Sequence, residues 1–193
     1  MIQNKQNYID YLKADQKALG IQNLNLISYF IECISPNQIW KFQKTLRKLE
    51  YYHNCKRHGF NKLVYTYLRF KFKNISLKLG FSIPINVFGP GLAIVHYGTI
   101  VINSNTKVGK NCRIHACTNI GASGGSKKAP KLGDNVYIAP GAKIYGDIEI
   151  ANNIAIGANA VVNKSFTEDS MMIAGNPAKA IKKIDITKII KHI

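Results

Sequence analysis

Large apolar residues recur every six positions in the second half of the chain. The series is unbroken from residue 132 onward, and shorter runs with the same period precede it. The twelve positions are Phe88, Ile94, Ile100, Val108, Ile114, Ile120, Leu132, Ile138, Ile144, Ile150, Ile156 and Val162. A period of six fits neither an α-helix nor simple strand alternation, but it is typical of a parallel β-helix with three six-residue sides per coil. The pattern predicts a solenoid whose apolar side chains point inward and stack.

Two breaks interrupt this period. Ile100 and Val108 are eight residues apart, which places the first break between them. Ile120 and Leu132 are twelve residues apart, and the intervening segment ASGGSKKAP has no aliphatic residue at the expected place. We expect the second break to be a loop that leaves the coil, because loops on a rigid scaffold commonly carry function.

The first 80 residues show helical spacing instead. Apolar residues fall on one side of two predicted helices, at Tyr8, Tyr11, Leu12, Ile39, Phe42, Leu46 and Leu49. Pro36 suits a helix start, and Gly80 closes a third basic and aromatic stretch. Interleaved cations predict a basic polar face made of Lys41, Lys44, Arg47 and Lys48. One interpretation is that this half contacts an anionic membrane or a polyanion. The other, which we favour, is that its helices pack one face on the rest of the protein while the lysines on the other face are solvated.

Three parts are therefore predicted: an N-terminal α-helical segment (1–80), a β-helix domain (81–183) and a C-terminal tail (184–193). The formal net charge of +17 attracts polyanions, namely nucleic acid, an anionic membrane or phosphorylated ligands. We expect no nucleic-acid partner, because no binding motif accompanies the charge. The chain has no long apolar run and no signal-peptide pattern, so we expect a cytoplasmic protein.

Cysteine and histidine spacing indicates no metal site. Four cysteines, Cys33, Cys55, Cys112 and Cys117, form no CxxC pair, and reduced thiols are expected. No group of His, Cys, Asp and Glu has ligand spacing.

Four segments carry a resemblance to a known family: GPGLAIVHYGTIVIN, NIGASGGSKKAPKLGDNVYIAPGAKIYGDIEI, IAIGANAVV and IAGNPAKAIKK. Residues 81–183 resemble serine O-acetyltransferases of the hexapeptide-repeat acyltransferase family, and especially the short forms linked to bacterial surface polysaccharide synthesis. The resemblance implies a mainly β fold, a left-handed parallel β-helix with an N-terminal α-helical segment. It also implies a homotrimer with active sites between subunits.

The activity that the resemblance implies is acetyl-CoA-dependent O-acetylation. His96 matches the family's catalytic histidine, a general base that deprotonates the acceptor hydroxyl as it attacks the thioester. The implied acceptor is L-serine, giving O-acetylserine for cysteine synthesis. The alternatives are a sugar of a capsular or surface polysaccharide, or a non-catalytic β-helix that binds polyanions.

Two departures from the family pattern keep the sugar alternative open. The aspartate that orients the histidine would align near Phe81 and Ser82, and neither residue can replace it. A backbone carbonyl, Asn86 or Asn103 could orient His96 instead, or the base is weaker or supported from the adjacent subunit. An arginine–histidine pair that helps to hold serine is replaced by Lys128 and Ala129. Lys127, Lys128 and Asn103 remain the candidate acceptor contacts, the lysines acting as point charges for a carboxylate or phosphate.

The resemblance also implies the acetyl-CoA contacts, which lie at small residues and basic ones. Ser123, Pro140 and Ala158 match the family's contact positions, and Gly121, Gly124 and Gly141 suit close approach of the pantetheine arm. Lys179, with Lys182 and Lys183, is placed to meet the phosphates, unless these lysines form a solvated tail. The other histidines, His53, His58, His115 and His192, match no catalytic position, although His115 lies about one coil beyond His96.

Overall fold

The computed structural model describes residues 1–21 and 37–193. In these two described ranges, three helices precede the strands: α1 (Lys5–Ala18), α2 (Gln38–Cys55) and α3 (Asn61–Leu79). The side chain of Asn37 caps α2 by accepting a hydrogen bond from a backbone N–H of the first turn. Gly80 ends α3 in the left-handed conformation at φ +76°, as the sequence predicts. Pro36, the predicted helix start, and Cys33 lie outside the described residues.

From residue 81 onward, fourteen short strands, numbered in chain order, form three sheets that make the faces of a triangular solenoid. The first face holds β1 (Phe81–Ser82), β3 (Ile100–Ile102), β6 (Thr118–Gly121), β9 (Lys143–Tyr145) and β12 (Val161–Val162). The second holds β4 (Lys107–Val108), β7 (Lys131–Leu132) and β10 (Glu149–Ile150). The third holds β2 (Ala93–Ile94), β5 (Arg113–Ile114), β8 (Tyr137–Ile138), β11 (Ala155–Ile156), β13 (Met171–Gly175) and β14 (Ala178–Lys183). All these pairings are parallel except that of β13 with β14.

The six-residue pattern forms the core of the solenoid. All twelve repeat positions are at most 5% exposed. On the third face, Ile94, Ile114, Ile138 and Ile156 pair in register from one coil to the next. The predicted inward stacking is therefore confirmed, and each layer buries aliphatic surface against the layers above and below it.

The first break lies elsewhere than the spacing suggests. Ile102, not Ile100, pairs with Ile120, while Ile100 pairs with Thr118. The two extra residues thus fall between Ile94 and Ile102, and a regular six separates Ile102 from Val108. The predicted break between Ile100 and Val108 is wrong because both Ile100 and Ile102 point inward two residues apart, so spacing alone does not choose between them.

The second break is a loop that leaves the coil, as predicted. Lys107 and Lys131 are paired across adjacent coils although they are 24 positions apart in the sequence, whereas the next pair, Lys131 and Glu149, is 18 positions apart. The six additional residues belong to the segment 122–130 between β6 and β7, which we call the long loop. Residues 123–128 of this loop are exposed.

The helices pack on the first coil and share its core. Phe42, Leu46, Ile75 and Leu79 belong to the same buried cluster as the repeat positions. The packing interpretation of residues 1–80 is correct for these faces of α2 and α3. At the other end of the chain, Ile186 and Ile190 pack on Ala155, so residues 184–193 cover part of the third face.

Arg47 corrects the prediction of a solvated basic face on α2, because its side chain is completely buried. Its guanidinium donates to both oxygens of Asp15, at 2.7 and 3.2 Å, and to Glu50 at 3.0 Å. It also donates to the carbonyls of Phe88 and Gly89 at 2.9 and 2.7 Å. All five N–H groups are thereby used. Burial disfavours the charge, but the two carboxylates outweigh it and raise the pKa of Arg47 above its ordinary value.

Within the described residues, no helix combines the length and apolar character that a membrane-spanning segment needs.

Replacing Arg47 by Met should destabilise the protein by about 3–5 kcal/mol, because Asp15 and Glu50 would remain buried without their cation. The neighbouring Lys48→Met, at an exposed position of the same helix, should change the free energy of unfolding by no more than about 0.5 kcal/mol. Denaturant unfolding of the two variants and the wild type measures the difference. Equal effects would contradict the assigned role of Arg47.

Candidate functional site

One edge of the solenoid carries His96. The chain passes from the third face to the first at residues 95–99, 115–117, 139–142 and 157–160, and these four corners stack to form what we call the His96 edge. Gly141 N donates to Ala116 O at 3.1 Å, and Asn159 N donates to Pro140 O at 3.0 Å. Because neighbouring strands are about 4.8 Å apart, the His96 and Ala158 corners lie about 14 Å apart along the edge.

The corner at His96 is larger than the other three. Seven residues separate the inward Ile94 and Ile102, whereas five separate the equivalent residues in each later coil. The extra length leaves His96 and Tyr97 exposed, Tyr97 at 73%. The corner is held from the helical side, because Gly98 N donates to Leu79 O at 2.9 Å. Helix α3 therefore helps to position the histidine.

Within the described residues, the ring of His96 has no hydrogen-bond partner. The predicted substitutes for the missing aspartate are engaged elsewhere. The amide of Asn86 exchanges two hydrogen bonds of 2.9 Å with Asn54, and Asn103 Oδ1 accepts from Asn105 N at 2.9 Å. Phe81 is buried in the core. No described residue fills the orienting role that the resemblance assigns to an aspartate.

The ring of His115 lies beside that of His96. The two rings lie 5.9 Å apart between centroids, and His115 also meets Tyr137 edge-on at 5.2 Å. Its Nε2 is buried without a hydrogen-bond partner among the described residues. Burial, together with the positive charges of Arg113 and His96, lowers the pKa of His115. A neutral imidazole therefore stands beside His96 one coil further on.

Tyr97 is a residue that sequence reasoning missed. It is adjacent to His96 and projects from the enlarged corner. The signal was present, because the third residue after the inward isoleucine is Cys117, Gly141 or Asn159 at the later corners, whereas this corner carries an aromatic residue there. Its exposed aromatic ring, beside the proposed base, offers a surface on which a planar group could stack.

Two predicted CoA contacts, Pro140 and Ala158, are exposed on the His96 edge. Gly141 is on the same edge, but the structure gives it an internal reason. It has φ +79°, and a β-carbon there would collide with the Asn159 amide of the next coil. The requirement for glycine at this position therefore comes from coil stacking.

The lysines near the C-terminus lie beyond Ala158. Lys179 on β14 pairs with Ala174 on β13, whose side chain faces Gly157. Lys182 is exposed like Lys179, while Lys183 makes a 3.2 Å ion pair with Glu168 between largely exposed side chains. The β13–β14 hairpin extends the His96 edge by one further layer and places Lys179 near the end of that edge.

The remaining predicted site residues lie at the opposite edge of the first face. Gly121, Ser123, Gly124, Lys127 and Lys128 belong to the long loop or the end of β6. A cleft of about 540 Å³ lies between this loop and the first face, lined by Asn103, Asn119, Gly121 and Ser126 among others. Lys128 Nζ makes a 2.6 Å ion pair with Asp147, which raises the pKa of the lysine. The side chain of Lys127 is exposed.

The predicted residues therefore form two groups, one on each edge of the first face. His96, Pro140, Gly141 and Ala158 share one edge, and the long-loop residues share the other. Residues 1–21 and 37–193 contain no group of three or more His, Cys, Asp or Glu side chains that could hold a metal ion.

Comparisons with known proteins agree with this architecture. A family model described as bacterial transferase hexapeptide (six repeats) matches residues 129–164. Serine acetyltransferases of Staphylococcus aureus and Staphylococcus epidermidis are 38% and 37% identical over 97 residues. That match covers 49% of this chain and 45% of each relative, so the chain spans about half the length of the curated relatives it matches.

Solved structures of serine acetyltransferases resemble this chain over more than nine tenths of its length. The Neisseria gonorrhoeae enzyme has a TM-score of 0.72 at 24% identity, covering 98% of this chain and 72% of that one. A serine acetyltransferase in complex with CoA has a TM-score of 0.67 at 25% identity, covering 92% and 71%.

The fold and the repeat thus define a hexapeptide-repeat protein built on a left-handed parallel β-helix with an N-terminal helical segment, as predicted. Within that class, the chain is similar to serine acetyltransferases.

The lowered pKa of His115 makes stability depend on pH. Unfolded histidine titrates near pH 6.5, and the folded group titrates lower, so the unfolded chain binds the proton more tightly. Stability should therefore fall as the pH drops through 6.5, until the folded group is also protonated. His115→Asn should show a smaller fall in denaturant midpoint between pH 8 and pH 5.

The comparison at pH 8, where the imidazole is neutral in both states, gives the structural cost of that substitution separately. Some pH dependence should remain in the variant, because burial also lowers the pKa of His192. An unchanged fall in His115→Asn would refute the assignment.

Proposed function

We propose that the protein is an acetyl-CoA-dependent O-acetyltransferase of the serine acetyltransferase type, with His96 as its general base. One observation carries the proposal: the two extra residues of the solenoid's first full coil hold an exposed histidine at the head of an edge lined by small exposed residues. The relatives and solved structures support the same activity, because they are serine acetyltransferases and one of them is a complex with CoA.

In the proposed reaction, His96 accepts the proton of the acceptor hydroxyl while that oxygen attacks the thioester carbonyl. A C–O bond forms, the C–S bond breaks, and the CoA sulfur leaves with the electron pair. The imidazolium then returns a proton to the thiolate or to solvent. General-base assistance of this kind typically contributes 10²–10⁴-fold. The neutral His115 nearby adds no fixed charge that would oppose protonation of His96.

Acetyl-CoA is proposed to lie along the His96 edge. Pro140 and Ala158 leave space for an extended pantetheine arm, and the exposed Lys179 near the end of the edge suits the phosphates. Gly121 at the end of β6 and the long-loop residues Ser123 and Gly124 are on the other edge of the first face. In one subunit they are therefore separated from Ala158 by the width of that face.

This separation supports the proposal of a homotrimer. A neighbouring copy would bring its long-loop edge against the His96 edge, so the two groups of predicted residues would meet between subunits. The same arrangement would give His96 neighbours that a single chain lacks.

Serine is the proposed acceptor, and a polysaccharide sugar is the alternative. Lys128 is already paired with Asp147, which leaves Lys127 as the exposed cation for a serine carboxylate, with Asn103 on the cleft wall as a polar contact. A single flexible lysine binds a carboxylate less specifically than an arginine does. This feature favours testing sugar hydroxyls beside serine.

His96→Ala should lower acetyl transfer by about 10²–10⁴-fold, because the acceptor hydroxyl would lose its base. The thermal midpoint should stay close to that of the wild type, since the side chain is exposed. Thiol release from acetyl-CoA is measured with serine, neutral sugars and water alone. His58→Ala is the matched control, because His58 is an exposed histidine in the connection between α2 and α3.

If serine and sugars release thiol no faster than water, the transferase proposal fails. If a sugar outperforms serine, the serine acceptor is replaced and the role of His96 stands.

Ala158→Glu should abolish CoA binding, because a long anionic side chain would block the edge and repel the phosphates. In the wild type, CoA at about 100 times its dissociation constant should stabilise the fold by about 2.7 kcal/mol. Thr167→Glu adds the same charge at an exposed position on the edge between the second and third faces, after Phe166, which pairs with Ile150, and should retain the stabilisation. Unfolding with and without CoA tests all three proteins, and retained stabilisation in Ala158→Glu would move the CoA site elsewhere.

A further inference from the structure

Helix α3 presents apolar side chains to solvent. Leu63, Tyr67, Phe70 and Leu77 are 67%, 61%, 64% and 70% exposed, and Phe60 just before the helix is 81% exposed. At 100° per residue, the four helical residues fall within about 80° of one another. They lie on the side opposite the buried Tyr65, Leu68, Ile75 and Leu79. We call these five exposed residues the α3 stripe, and a surface helix would normally carry polar residues there.

Cations border the α3 stripe on both sides. On the helical projection, Lys62, Arg69 and Lys73 follow one border, and Lys71 and Lys78 follow the other. No acidic residue occurs anywhere between Glu50 and Asp134. The positive potential around the stripe is therefore not balanced by neighbouring carboxylates of the same segment.

The apolar surface continues from the stripe into a groove. This groove of about 850 Å³ separates α3 from residues 81–85, and Phe70, Leu77 and Ile85 are among its lining residues. Arg69 and Lys73 also line it. The combination of an apolar floor and cationic walls matches the two parts of an anionic lipid, its acyl chain and its headgroup.

We propose that the α3 stripe binds the surface of an anionic lipid bilayer, with α3 lying in the plane of the membrane. Phe60, Phe70 and Leu77 enter the boundary between headgroups and acyl chains, as on other interfacial amphipathic helices. The bordering lysines extend their aliphatic stems along the stripe and place their ammonium groups among the phosphates.

The other occupants fit these observations less well. A second copy of the chain would bring two sets of bordering cations together without carboxylates to pair them, at a cost in like-charge repulsion. A nucleic acid would use the cations but leave the leucine and phenylalanine side chains without a partner. A bilayer with anionic headgroups uses both.

The test is co-sedimentation of the full-length chain with lipid vesicles. The protein should pellet with vesicles that contain phosphatidylglycerol and remain in solution with vesicles of phosphatidylcholine alone. Phe70→Ser/Leu77→Ser removes apolar contacts, and Lys71→Gln/Lys78→Gln removes two bordering charges. Each double variant should weaken partition into the anionic vesicles by at least about tenfold.

Two controls match these changes at other exposed places. Ile181→Ser removes an apolar side chain that is 57% exposed on β14, and Lys164→Gln/Lys188→Gln removes two charges from the solenoid end of the chain. Both should bind vesicles as the wild type does. Circular dichroism and thermal midpoints establish that every variant is folded.

Three results would overturn the proposal. The first is a wild type that does not bind anionic vesicles at low salt. The second is a control lysine pair that weakens binding as much as Lys71→Gln/Lys78→Gln, which would reduce the effect to net charge. The third is a Phe70→Ser/Leu77→Ser variant whose assembly, measured without vesicles, has a lower mass than the wild-type assembly, which would make a second copy the occupant of the stripe.

Discussion

Coil closure is the constraint on which the rest of this structure depends. Neighbouring coils are hydrogen-bonded strand to strand about 4.8 Å apart, so every coil must present the same inward length on each face. Additional residues cannot be accommodated within a face, so they lengthen the connection at a corner. Two such places have been described: the two extra residues at His96 and the six in the long loop. Both border the first face, and the candidate chemistry is found where the repeat fails.

A buried ionic cluster attaches the helices to this scaffold. Asp15 accepts from the backbone N–H groups of Gly91 and Leu92 at 2.9 and 2.8 Å while it holds Arg47. Removing two carboxylates and a guanidinium from water is costly, and only complete pairing offsets that cost. The cluster joins α1 and α2 to the corner before β2, and the end of α3 holds the His96 corner through Gly98. The helical segment thus helps to position the proposed base in addition to covering the end of the core.

The same reasoning separates structural from functional small residues on the His96 edge. The requirement for glycine at position 141 is explained by the Asn159 amide of the next coil, so it gives no evidence for a ligand. Pro140 and Ala158 are exposed and have no such internal reason, which makes them the more informative positions. His96 itself lacks a partner within the described chain. His96 has no orienting group among the described residues, and the proposed CoA contacts are divided between two edges of the first face. Both features are consistent with a site that is completed by another copy of the chain.

The sequence by itself determined the solenoid, its twelve inward positions and the long loop, because burial on a fixed period forces apolar residues into a pattern that is visible without coordinates. It also singled out His96 and the small residues that share its edge. It did not place the first break, since Ile100 and Ile102 both satisfy strand alternation and only the pairing with Ile120 chooses between them. Nor did the sequence predict that Arg47 is buried, because its partner Asp15 is 32 residues away, or that His115 lies beside His96. These features were decided by the tertiary structure, because each depends on contacts between residues that no local period connects.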